Sequence, residues 1–168
     1  MKKLILLAVV VFGFAATSFA QVIVSNGVIS AGITPATNPN AGATMTAGDA
    51  LKFGTIVSST LYDGTLLVKA NGQIVKTNVT ATGDIWPATF NVTKLMSGTP
   101  IITLSTKHWD WGNGIVLDIN PDDPNNLYST ALATPGNFTV RVGGLLTIAK
   151  NSTGNINITN FTVTLNNQ

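Results

Sequence analysis

The chain of 168 residues contains no cysteine, no glutamate and a single histidine, and only 10% of its residues are charged. Each scarcity excludes something. Without cysteine there is no disulfide, no thiolate nucleophile and no sulfur ligand for zinc, so burial and the hydrogen-bond ladder must hold the fold together. With one histidine and no glutamate, acid–base catalysis has few candidates. A Ser-His-Asp arrangement would have to be built around His108, with Ser105 and Asp110 close in sequence, and nearness along the chain is not triad geometry. No glycine-rich phosphate loop follows a strand and opens a helix, and no His or Cys cluster has metal-ligand spacing. The expectation is a protein without catalytic residues or a cofactor.

The first twenty residues read as a secretory leader. Met1-Lys2-Lys3 supplies the positive region, Leu4 to Phe14 the apolar region, and Ser18-Phe19-Ala20 the small residues before cleavage at Gln21. Export is therefore expected, to the cell surface, the extracellular space or the periplasm. No later apolar stretch is long enough to span a bilayer. The leader also carries the charge imbalance. Its two lysines account for the net +2, and beyond it seven basic residues stand against seven aspartates. A neutral mature chain has no electrostatic footprint for nucleic acid or anionic lipid.

What the chain does contain is Ala, Thr, Asn, Gly, Val and Ile. Thr and Val suit strands, Asn and Gly suit turns, and helix-surface residues are scarce. Phe138, Val140 and Val142 alternate with Thr139 and Arg141, Gly143-Gly144 interrupts, and Leu145 to Ala149 resumes. A glycine pair inside such a run marks a bulge or a bend that re-aims the strand. After the polar turn Lys150 to Gly154, the run Ile156 to Leu165 places Phe161, Val163 and Leu165 on one face. Upstream, Leu51, Phe53 and Thr55 alternate, with Gly54 marking a bulge or close approach. Asp63-Gly64 and Asn71-Gly72 read as hairpin turns. Further strands are expected at residues 65–70, 73–79, 88–93, 100–105 and 115–119, about nine or ten in all, the pattern of a sandwich or barrel. The expected division is a leader (1–20), an N-terminal strand with a flexible tether (21–45), and one β-sandwich domain (46–168).

Three segments are candidates for function. Gln21 to Thr34, with Val22, Val24, Val28, Ile29 and Ile33, is an apolar run followed by the aperiodic stretch Pro35 to Ala43. It can fold back as an edge strand of its own sheet, or act as a donor strand that joins the sheet of a neighbouring subunit. Trp109-Asp110-Trp111 concentrates indole rings beside a carboxylate. Flat rings stack on sugars and a carboxylate binds hydroxyls, so these residues, with Trp86 as an adjunct, are candidates for glycan contact; the bland alternative is core packing. Asp118, Asn120, Asp122 and Asp123 place oxygens as in a weak calcium loop, but Pro121 and Pro124 interrupt them and no bidentate glutamate follows. An Asx-rich surface turn is the alternative.

The order of three motif groups resembles a family of exported bacterial β-sandwich domains, domain of unknown function forty-four oh two. The groups are Gly48 to Val57 with its Leu-Lys-Phe-Gly start, Pro87 to Thr93 with Ile102-Thr103-Leu104, and Phe138 to Thr147 with Phe161 to Leu165. The family's Gly-x-Tyr-x-Gly before the last strand is replaced here by Gly154-Asn155-Ile156-Asn157. The resemblance implies an immunoglobulin-like antiparallel sandwich akin to fimbrial subunits, and brings no enzymatic activity with it. The combined expectation is an exported structural subunit of a filament or matrix that associates with copies of itself or with other surface subunits. A glycan-binding surface module is the alternative.

Overall fold

A computed structural model describes residues 21–25, 29–34, 43–94, 101–104, 107–120, 123, 127–129, 135–157 and 161–166. The expected leader (1–20) and residues 35–42 of the expected tether lie outside them. The described residues form strands and turns only. In chain order the strands are β1 (Gln21–Ser25), β2 (Ile29–Thr34), β3 (Ala43–Ala47), β4 (Lys52–Ser58), β5 (Gly64–Val68), β6 (Ile74–Thr77), β7 (Val79–Trp86) and β8 (Ala88–Lys94). They continue with β9 (Ile101–Leu104), β10 (Lys107–Asp110), β11 (Ile115–Ile119), β12 (Leu127–Ser129), β13 (Gly136–Val142), β14 (Gly144–Ile148), β15 (Gly154–Asn157) and β16 (Phe161–Asn166). Among the described residues no helix is long and apolar enough to cross a membrane.

The strands pair in four ladders, ordered β15-β1-β4-β7, β10-β11-β14-β5-β6, β12-β13-β8-β3 and β2-β16-β9. Several segments are halves of longer strands: β7 passes into β8 at Pro87, and β13 into β14 at Gly143, each leaving one ladder for another. Strands that change sheets at such bends make the corners of a sandwich and let its layers share one core. All four ladders contribute to a single buried cluster, with Phe53 and Ile56, Leu117 and Leu146, Phe90 and Val140, and Leu104 and Val163 inside. The architecture is the all-β sandwich that composition and periodicity predict.

Alternation sets which side chains go in. Leu66 and Val68 of β5, Ile115, Leu117 and Ile119 of β11, and Leu146 and Ile148 of β14 are buried at every second position. Phe138, Val140 and Val142 are buried as predicted, opposite Val92, Phe90 and Ala88 of β8. Gly143 is the expected bend. Gly54 is the expected irregularity, with φ of +68°, and Gly83 and Asp84 of β7 face it alone because the register shifts between Phe53 and Thr55. Beyond this bulge the buried positions of β4 are Ile56 and Ser58, so Thr55 does not share the face of Leu51 and Phe53.

Asn71-Gly72 closes the β5–β6 hairpin: Gly72 takes φ of +92° and Lys69 N–H bonds to the Gln73 carbonyl at 2.8 Å. Asp63-Gly64 is not a hairpin turn, because β4 and β5 belong to different ladders. The Asp63 carboxylate instead accepts the Lys150 N–H at 2.9 Å, pinning the distant β14–β15 turn. β3, β7, β10 and β12 are strands that periodicity does not announce.

Candidate functional site

The N-terminal segment is built into the sheet. β1 lies between β4, antiparallel with Val22 opposite Ile56, and β15, parallel with Val22 opposite Gly154. β2 continues the arrangement, parallel to β16 from Ile29 opposite Phe161 to Thr34 opposite Asn166. The first strands of the chain thus run beside the last, β1 from Val22 to Ser25 and β2 over its whole length. The expected edge strand is found for β2, but β1 is interior, with both of its edges paired. A ladder with β1 withdrawn would leave β4 and β15 each with an unpaired edge, and unpaired buried backbone groups cost free energy. Val24 and Ile33 lie in these strands, whereas Val28 lies outside the described residues.

Trp109, Asp110 and Trp111 stand at the β10–β11 hairpin. Both indoles are half-buried and pack against the core. Asp110 Oδ1 accepts the Gly112 N–H at 2.8 Å, and the Ile115 N–H returns to the Gly112 carbonyl at 3.1 Å. Gly112, Asn113 and Gly114 all take positive φ, a conformation that only Gly and Asn adopt cheaply. The concentration of Trp, Asp and Gly in this stretch therefore has a local structural cause: the carboxylate holds the turn and the rings cover the core. Trp86, by contrast, is 59% exposed.

His108 of β10 sits directly opposite Asp118 of β11, and its Nδ1 is 2.5 Å from Asp118 Oδ1. Ser105 lies outside the described residues. The Asp118 carboxylate, first of the calcium candidates, is thus engaged across the strand pair. Asn120 follows β11 on the surface, its carbonyl accepting the Asp123 N–H at 3.2 Å, and Asp122 lies outside the described residues. Among the described residues no group of three or more His, Asp or Glu side chains is placed to hold a metal ion.

The fold and its surfaces define a β-sandwich domain whose first strand fills a gap in its own sheet. The chain belongs to the family described as Domain of unknown function (DUF4402), which matches residues 43–167. Neither a curated protein nor a solved structure matches it. The family match opens at Ala43, where β3 begins, so β1 and β2 lie N-terminal to the matched region.

Proposed function

We propose that this is a non-enzymatic, exported structural protein, a subunit of a surface filament, fimbria or extracellular matrix that assembles by exchanging its N-terminal strands. The observation that carries the reading is the interior place of β1 between β4 and β15, on a segment that precedes the family-matched region. Such a slot accepts the same segment from a second copy with the same ladder, because main-chain hydrogen bonds do not distinguish the two sources. The eight residues between β2 and β3 reach at most about 30 Å when extended, so a donor and its recipient would be immediate neighbours. Exchange that passes from each copy to the next without closing makes a filament. A mature chain with balanced charge also lacks long-range repulsion between copies.

The test compares mature protein with a form that begins at Pro35, both concentrated and followed by light scattering and electron microscopy. The intact protein is expected to form polymers. The truncated form is expected to remain monomeric and to bind a peptide of residues 21–34. If both forms are monodisperse monomers, strand exchange is wrong.

A further inference from the structure

Trp86 is the exposed tryptophan, and hydrogen-bonded polar side chains stand beside it. It ends β7 opposite Lys52 of β4, at the corner where the strand turns into β8. Two clefts of about 310 and 290 Å³ meet there, and Trp86 and Asp49 line both. The first is also lined by Asn71, Thr89 and Arg141, the second by Lys52. These volumes lie at the small end of the range for ligand sites.

Asp49 is held in place before any ligand arrives. Its N–H donates to Thr89 Oγ1 at 2.7 Å, its carbonyl accepts the Thr89 N–H at 2.9 Å, and its Oδ2 accepts from Thr89 Oγ1 at 3.3 Å. Gly48 makes this docking possible, since a Cβ there would stand 2.5 Å from Thr89 Oγ1. Arg141 lies directly opposite Thr89 on β13 and has no ion pair among the described residues. Lys52 pairs with Asp84 at 3.6 Å. Asn71 Oδ1 accepts the Gln73 N–H at 2.9 Å, which leaves its two amide hydrogens for other partners.

A flat apolar ring beside a fixed carboxylate, a guanidinium and a carboxamide matches the two-sided chemistry of a sugar. A pyranose whose substituents are all equatorial shows only C–H groups on its faces and hydroxyls around its rim. One hydroxyl can donate to Asp49 while another accepts from Arg141, so a neutral ring satisfies both charges. An anion would meet Asp49, and a cation would meet Arg141. We propose that the Trp86 corner binds a neutral β-linked oligosaccharide of gluco-configured sugars, one ring stacked on the indole and the next in the adjoining cleft. The sugar site is thus placed at Trp86, away from the Trp109–Trp111 turn.

The test is calorimetric titration of mature protein with cellotetraose and with fully N-acetylated chitotetraose, repeated for Trp86→Ala, Asp49→Asn and Trp111→Phe. At least one sugar is expected to bind with Kd between micromolar and low millimolar. Trp86→Ala is expected to weaken binding about tenfold or more, as loss of a central aromatic anchor does. Asp49→Asn should weaken it less, and Trp111→Phe should leave it unchanged. Because Trp86 is exposed, its variant should keep the wild-type melting curve, which separates lost binding from lost folding. No binding of either sugar at millimolar concentration overturns the proposal. So does wild-type affinity in Trp86→Ala, or a loss in Trp111→Phe as large as that in Trp86→Ala.

Discussion

The carbonyl oxygen of Val68 lies 2.1 Å from the point where a Cβ on Gly143 would stand. Gly143 joins β13 to β14 where the strand leaves one ladder for another, and the next residue, Gly144, pairs with Val68 itself. Gly143 is not among the glycines with positive φ, so the requirement is for space and not for a left-handed backbone. The obstacle is main chain at the end of β5, which cannot rotate away as a side chain would.

Gly143→Ala is therefore expected to destabilise the domain by about 3 kcal/mol, the upper part of the overpacking range. That corresponds to a fall of roughly 6–12 °C in Tm for a domain of this size. Gly72→Ala is the contrast, since nothing lies within 4 Å of a Cβ there; its cost would come only from the positive φ. Thermal unfolding of the two variants checks the ranking.

Ser152 is buried, and its Oγ donates to the Asn113 carbonyl at 2.7 Å. Its own carbonyl accepts from the buried Ser58 hydroxyl at 3.1 Å. Three segments far apart in sequence, the end of β4, the β10–β11 turn and the β14–β15 turn, meet through these two bonds. Ser152→Ala leaves the Asn113 carbonyl without its hydroxyl donor and is expected to cost about 1–2 kcal/mol. Amide hydrogen exchange should quicken around residues 112–115, and denaturant unfolding measures the loss.

Ile23 of β1 and Thr55 of β4 face each other in register, and the chain has no cysteine to interfere. Directly opposed strand residues lie within the Cα separation that a disulfide spans. Ile23→Cys with Thr55→Cys should form an intrachain bond on oxidation that holds β1 in its own sheet. The oxidised variant is expected to stay monomeric where wild-type protein polymerises, and to regain polymerisation on reduction. Non-reducing electrophoresis with electron microscopy reads both states. Polymers that persist with the bond closed within each chain would contradict strand exchange.

Much of the framework is legible along the chain because a half-buried strand writes its inner face at every second residue. Phe138, Val140 and Val142 declare themselves this way, and Gly54 and Gly143 declare their breaks. β7 does not. Its inner face shows only Ala81 and Ile85, with Gly83 and Asp84 between them, so its pattern resembles a turn. The tryptophans illustrate the same limit. In Ile85-Trp86 either residue could face inward, and a slip of one position exchanges them. The bulge at Gly54 and the pairing with Lys52 choose Ile85, leaving Trp86 outside, while the more conspicuous Trp109 and Trp111 turn to the core.

The amino-acid sequence by itself determined the class: an all-strand chain with few charges, no cysteine to form a disulfide, and bends at identifiable glycines. These follow from local propensity and periodicity, which act over a few residues. Only the tertiary structure decided that β1 is interior and parallel to β15, that Asp63 serves a turn far from its own, and that Trp86 stands beside Asp49 and Arg141. Those relationships join residues separated by tens to more than a hundred positions. Their register is chosen by the packing of one shared core, and no local pattern encodes it.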